Sequence, residues 1–198
     1  MKMLKSVLVI GVLALTATAY ADVFQTYDLA WSGASFNNNA TATGSITIDL
    51  TTLPNPGGPA YDMYNDIVSL TVTVTGASSG NGTWTRADLA PISNLGTYTY
   101  WWTGDVALDM TTELVGQPTL GSPWGTPDGL SGDFNLFFTN GGPLGTFYFT
   151  LTTDGGNGDS MQLESFAPVG GVPEPGTIAL MGTGLVLLTN SIRRRLMR

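Results

Sequence analysis

Three groups of residues in this 198-residue chain have the types and spacing that chemistry requires. Asp154, Asn157 and Asp159 fall within one glycine-rich stretch, with Glu164 downstream, and hard oxygen donors of this kind suit Ca²⁺. The spacing departs from a helix–loop–helix calcium loop, because Gly156 stands where the second ligand belongs. An Asx-rich turn accounts for the same letters. A cation held here would bind at the weak extracellular end of the range, roughly 10⁻⁴ to 10⁻³ M. Asp105 and Asp109 raise glycoside hydrolysis, which needs two carboxylates and nothing else. Carboxylates are frequent throughout this chain, so two of them close in sequence carry little information. Ser131, in Gly129-Leu130-Ser131-Gly132, lacks nucleophile-elbow spacing, and the chain has no His to activate it.

The third group is aromatic: Trp84, Tyr98, Tyr100, Trp101, Trp102 and Trp124. Neighbours on a strand point to opposite faces, so Trp101 and Trp102 part company. Tyr98, Tyr100 and Trp102 then share a side. As an exposed strip they would stack on sugar rings; as the core face they would leave Trp101 alone outward. The core reading is preferred, because large aromatics are mostly buried.

Absences narrow the chemistry further. There is no His and no Cys, and no Lys beyond Lys5. That removes the usual neutral-pH base, the thiolate, the Schiff-base amine and the imidazole metal ligand. Between residues 22 and 171, fourteen acids stand against one base, Arg86, a net charge of −13 where the whole chain has −8. Such a surface repels phosphate backbones, which excludes nucleic acid as a direct partner. Arg86 is expected to pair structurally with Asp88, two residues along a strand; the alternative is a clamp on a ligand carboxylate. Without disulfides, a conventional apolar core must hold the chain together.

The elements that carry these residues read as all-β. Ala42, Gly44, Ile46, Ile48 and Leu50 alternate with Thr41, Thr43, Ser45, Thr47 and Asp49. Val68, Leu70, Val72 and Val74 oppose Ser69, Thr71, Thr73 and Thr75, and Phe147, Phe149 and Leu151 oppose Tyr148, Thr150 and Thr152. Period-two alternation with β-branched residues marks half-buried antiparallel strands. Weaker strands are expected at 24–31, 83–86, 97–102, 134–139 and 160–166, separated by Gly, Pro, Asn and Asp clusters that make turns. The expected fold of residues 22–171 is an antiparallel two-layer β-sandwich, in one version a jelly roll.

Both ends look like addresses. Lys2 and Lys5, the apolar run from Val7 to Leu15 and the small-x-small site Ala19-Tyr20-Ala21 describe a secretory signal peptide, 1–21, cut by signal peptidase after Ala21. Residues 172–198 run Val172-Pro173-Glu174-Pro175, then an apolar segment, then Arg193, Arg194, Arg195 and Arg198. Proline breaks the helix before it starts. Thr177 to Ile192 gives about 24 Å of helix at 1.5 Å per residue, short of the roughly 30 Å hydrocarbon core but tolerable with snorkelling arginines. The arginines keep the C-terminus cytoplasmic and the middle of the chain outside. A signal helix and a single transmembrane helix are therefore expected to flank the β domain.

This terminal combination resembles the PEP-CTERM sorting signal, a segment that also circulates as an "ice-binding protein C-terminal" tail, a name that says nothing of ice. The resemblance implies recognition by an exosortase, a membrane-embedded cysteine transpeptidase-like enzyme of Gram-negative bacteria, with cleavage near Pro173-Glu174-Pro175. It implies transient anchorage in the inner membrane and a final place at the cell surface or in the extracellular polysaccharide matrix. The expected function is a non-enzymatic structural or adhesive surface protein with no cofactor; Ca²⁺ in the Asp154 loop is the alternative to an Asx-rich turn. The alternative is a carbohydrate-binding module that meets extracellular polysaccharide through Tyr98, Tyr100 and Trp102.

Overall fold

The computed structural model describes residues 23–59, 61–91 and 99–170. The signal segment with Ala19 and Ala21, Tyr98, the Val172–Pro175 motif, the C-terminal helix and the arginine cluster lie outside the described residues. Among the described residues no helix is long and apolar enough to cross a membrane.

Among the described residues ten strands make up most of the regular structure: β1 (Phe24–Ser32), β2 (Thr41–Asp49), β3 (Tyr61–Asp62), β4 (Ile67–Thr75), β5 (Gly82–Thr85), β6 (Tyr100–Trp102), β7 (Asp133–Asn135), β8 (Leu144–Phe147), β9 (Thr150–Thr152) and β10 (Ser160–Pro168). Among the described residues, helix is confined to two 3₁₀ turns, Ala34–Phe36 and Arg86–Asp88, and one turn at Thr153–Gly156. Seven strands form a sheet in the order β5-β4-β2-β1-β10-β9-β8, and three form another, β3-β6-β7. Every pairing is antiparallel. The expectation of an all-β, antiparallel middle holds among the described residues.

One face of the large sheet is the core. Tyr27, Leu29 and Trp31 of β1, Ile46 and Ile48 of β2, Leu70, Val72 and Val74 of β4, and Met161, Leu163 and Phe166 of β10 are all buried. The opposite face is largely Thr and Ser, and its hydroxyls pair across strands: Thr26 with Thr47 at 2.9 Å, Thr41 with Thr75 at 3.1 Å, and Thr73 with Thr83 at 2.9 Å. Cross-strand pairs of this kind add a little stability each. They leave the outward face polar.

Two bulges decide which side chains enter the core. In β10, Ala30 pairs with Ser165 while Trp31 pairs with Leu163, so Glu164 is an extra residue. A bulge puts two residues opposite one and reverses the alternation beyond it. Met161 and Leu163 point inward before it, and Phe166, not Ser165, points inward after it. In β4 the shift between Thr47 and Ile48 makes Val68 the extra residue. Ile67 takes the buried place and Val68 is 53% exposed, a correction to the expected Val68–Val74 face.

The small sheet lies against the core face through aromatic rings. Phe166 is the meeting point: its centroid is 4.9 Å from Tyr27, 4.9 Å from Phe134, 5.8 Å from Trp124 and 6.4 Å from Trp101, all edge-on. Such T-shaped pairs are the favoured arrangement of ring quadrupoles. Glu113 fastens the same point from the long loop after β6. Its carboxylate accepts from Phe166 N–H at 2.6 Å and from the Ser165 hydroxyl at 2.7 Å.

A second correction concerns residues 147–152, expected as one alternating strand. They form a hairpin instead: Phe147 pairs with Thr150, and Tyr148-Phe149 is its two-residue turn. The sheet's two ends also matter. The start of β1 lies beside the end of β10, with Tyr27 opposite Pro168 and Val169 N–H donating to Thr26 C=O at 2.8 Å.

Removing the central ring separates core from surface. Phe166→Ala should cost about 3–5 kcal/mol, whereas Val68→Ala should stay within about 0.5 kcal/mol. Urea unfolding of the two variants checks this, and equal losses would contradict the bulge assignments.

Candidate functional site

The pairing of β6 with β7 sets up the site. Tyr100 lies opposite Asn135, Trp101 opposite Phe134 and Trp102 opposite Asp133. Alternation sends Trp101 and Phe134 into the core, both fully buried, and turns Tyr100, Trp102, Asp133 and Asn135 to the other face. This reverses the preferred sequence reading. Trp101 is the core residue, its indole N–H donating to Pro54 C=O at 3.0 Å, and Tyr100 and Trp102 are half-buried on the side away from it.

Beyond β7 the chain crosses to the edge of the large sheet. Gly145 N–H donates to Leu136 C=O at 2.8 Å, and Phe137 bridges to Leu144. At this seam an open cavity of about 360 Å³ is lined by Tyr100, Asp133, Asn135, Phe137, Gly145, Thr146 and Tyr148. Three aromatic side chains and an Asp–Asn pair thus meet in one concavity.

The polar pair is deeply placed, Asp133 being 6% exposed and Asn135 8%. Asp133 Oδ1 accepts from Asn135 Nδ2 at 2.6 Å and from Phe149 N–H at 3.2 Å. Burial pushes the Asp133 carboxyl up to about 6, against the opposing pull of these hydrogen bonds and one from Phe134 N–H. Asn135 Oδ1 is buried and has no hydrogen-bond partner. A buried acceptor left unsatisfied costs free energy, so one at a cavity wall marks where a donor belongs.

Backbone geometry holds the aromatic wall. Phe149 has φ 58°, an unusual conformation for a bulky residue. Three contacts fix it: its N–H on Asp133, its C=O accepting from Leu163 N–H at 2.9 Å, and its ring 4.8 Å from Trp124. Tyr148, the other turn residue, is 40% exposed. Its ring rests on Gly129 (φ 73°), where an added Cβ would come within 2.5 Å of the Tyr148 ring.

Several other candidate residues have structural partners. Asp159 accepts from Ser78 N–H at 2.6 Å, while its own N–H and C=O engage Thr153. Asp154 sits at φ 53° and its carbonyl accepts from Asn157 N–H at 3.2 Å. Among the described residues no three His, Cys, Asp or Glu side chains gather as a metal group. Asp109 accepts from the Thr111 N–H and hydroxyl, bonds that hold its carboxyl below the usual range. Ser131 is buried and donates to Thr126 C=O. Arg86 donates to the carbonyls of Ile67 and Tyr64 and lies 3.8 Å over the Tyr64 ring. Asp88 instead accepts from Thr85, capping the 3₁₀ turn.

Of the sequence candidates among the described residues, the cavity takes in Tyr100 alone. Asp133, Asn135, Phe137 and Tyr148 carried no local motif. Comparison of the whole chain finds one matching family, over residues 171–195. The chain carries a PEP-CTERM protein-sorting motif. A motif of this kind, at the C-terminus, goes with export, transient membrane anchorage and processing by an exosortase-type enzyme. No curated protein and no solved structure matches the chain.

The raised Asp133 carboxyl has a sign that can be measured. Between the ordinary value of 3.8 and about 6, the folded chain holds this proton more tightly than the unfolded chain. Stability therefore rises as pH falls through 6, by about 1 kcal/mol between pH 7 and pH 5. Asp109, Asp128 and Asp159, whose carboxyls are lowered, lose their contribution only below the ordinary carboxyl range. Thermal unfolding should show a higher midpoint at pH 5 than at pH 7, and Asp133→Asn should flatten that slope. An unchanged slope in the variant would assign the effect elsewhere.

Proposed function

We propose that this protein is an exported, non-enzymatic component of the cell surface or extracellular polysaccharide matrix of a Gram-negative bacterium. The sorting motif at residues 171–195 carries this reading. Signal peptidase cuts after Ala21, leaving Asp22 as the new N-terminus. The segment from Thr177 to Ile192 then holds the chain in the inner membrane with Arg193, Arg194, Arg195 and Arg198 on the cytoplasmic side. An exosortase-type enzyme cuts near Pro173-Glu174-Pro175 and transfers the β domain to the surface.

What the β domain does there is structural or adhesive. We read its two antiparallel sheets as a lopsided β-sandwich. A glycoside hydrolase needs two carboxylates about 5–9 Å apart across a cleft. Asp133 is the one carboxylate among the described residues that line the cavity, which supports binding over hydrolysis. The sugar-stacking strip finds support at Tyr100, which reaches the cavity, and gains Phe137 and Tyr148 in place of Trp102.

Replacing Pro173-Glu174-Pro175 by three alanines should leave the tail on the mature product. Intact-mass measurement of protein from membranes and medium reads both cut sites at once. A variant that matures like the parent would refute exosortase-type sorting.

A further inference from the structure

We propose that the cavity between β6, β7 and the β8–β9 hairpin is a monosaccharide site, taking one neutral pyranose ring with its hydroxyls on Asp133 and Asn135 and its C–H face on an aromatic wall. The inference deepens the adhesive role proposed above and stands independently of how the tail is processed.

Size comes first. At about 360 Å³ the cavity is at the small end of the roughly 300–1,000 Å³ span of ligand pockets. It suits one ring. Its walls divide as a sugar does. Tyr100, Phe137 and Tyr148 offer apolar surface for the ring's C–H face, while Asp133, Asn135 and Thr146 offer hydrogen-bonding groups for its hydroxyls.

The unpartnered acceptor selects the ligand's chemistry. Asn135 is 8% exposed, faces the cavity and keeps Oδ1 without a donor. Gly145 lets this side chain lie against the β8 backbone: a Cβ there would come within 2.4 Å of Asn135 Cβ and 2.6 Å of Oδ1. Asp133 can accept as well, so the floor is rich in acceptors and calls for a ligand with adjacent O–H donors. A metal ion is poorly served here, because Asp133 is the one carboxylate lining the cavity and no three His, Cys, Asp or Glu side chains gather among the described residues. An anionic ligand would meet the Asp133 carboxylate at neutral pH and the −13 charge of residues 22–171. A neutral polyhydroxylated ring satisfies both conditions. A binding site made of hydrogen-bonding groups also rejects ligands that leave them unpaired.

The test uses the full-length protein in detergent, titrated with methyl glucopyranoside, galactopyranoside and mannopyranoside, and with glycerol and methyl glucuronide as controls. Calorimetry gives affinities, and amide chemical shifts report where the ligand sits. At least one pyranoside should saturate with a Kd on the order of 1 mM, shifting the lining residues. Glycerol and the glucuronide should bind at least about tenfold more weakly. Tyr148→Ala and Asn135→Ala should each weaken the pyranoside about fivefold or more. Tyr148 is 40% exposed, so its variant keeps the fold and decides the matter even where Asn135→Ala does not fold. No saturation by any pyranoside up to roughly 50 mM overturns the proposal. So does equal affinity for glycerol or the glucuronide, or binding that Tyr148→Ala leaves unchanged. The cut-site variant with three alanines should bind sugar like the parent, so a failure of sorting and a failure of this site read out separately.

Discussion

The structure turns on one extra residue in β10. Glu164 bulges out of the ladder with β1, and the parity of everything beyond it reverses. That reversal puts Phe166 at the centre of four other rings and hands the Ser165 hydroxyl to Glu113. The small sheet has only eight residues in strands, too few to stand alone. It is held by Trp101 and Phe134 against Phe166. Where those two rings go, the alternate residues Tyr100, Asp133 and Asn135 must go to the other face. The cavity is thus a consequence of a packing decision made on the far side of the same three-residue strands.

How much of this was legible follows from what kind of signal each feature leaves. The alternation of β2 is strict, and the buried face is the one read from the sequence. A bulge leaves no such mark, because it is a pairing decision shared with the partner strand. Val68 is apolar and in phase with Leu70, yet the step to Ile48 seats Ile67 instead. Tyr148-Phe149 hides a turn because it contains none of the usual turn residues. Its left-handed Phe149 is bought by tertiary contacts with Asp133, Leu163 and Trp124. Trp101 and Trp102 show the limit well: alternation says they diverge, but only the partner strand says which one faces inward. Asp133 and Asn135 lie more than thirty residues from Tyr100, so no local window joins them. The sorting motif, by contrast, is linear from end to end and was readable for that reason.

Charge is handled by separation. The lone base of the β domain, Arg86, ties two backbone carbonyls and a ring. Many of the acids accept backbone N–H groups in turns, as Asp49, Asp62, Asp109, Asp128 and Asp159 do. Each carboxylate thereby shapes a loop while keeping its charge in water. Such a surface stays soluble and resists non-specific association with other anionic polymers. It does so without any cysteine.

The adjacency of the first and last strands has a mechanical meaning. The chain departs toward residue 171 beside the beginning of β1, whereas the hairpin with Tyr148 is joined to the opposite end of β10, level with Gln162. Six residues of β10 separate the two levels, about 20 Å at 3.3 Å per residue. A pull between a tether at residue 171 and a load at the hairpin would run along the strands. Ladder hydrogen bonds lie across that direction, so they would bear the force together in shear instead of opening one by one like a zip.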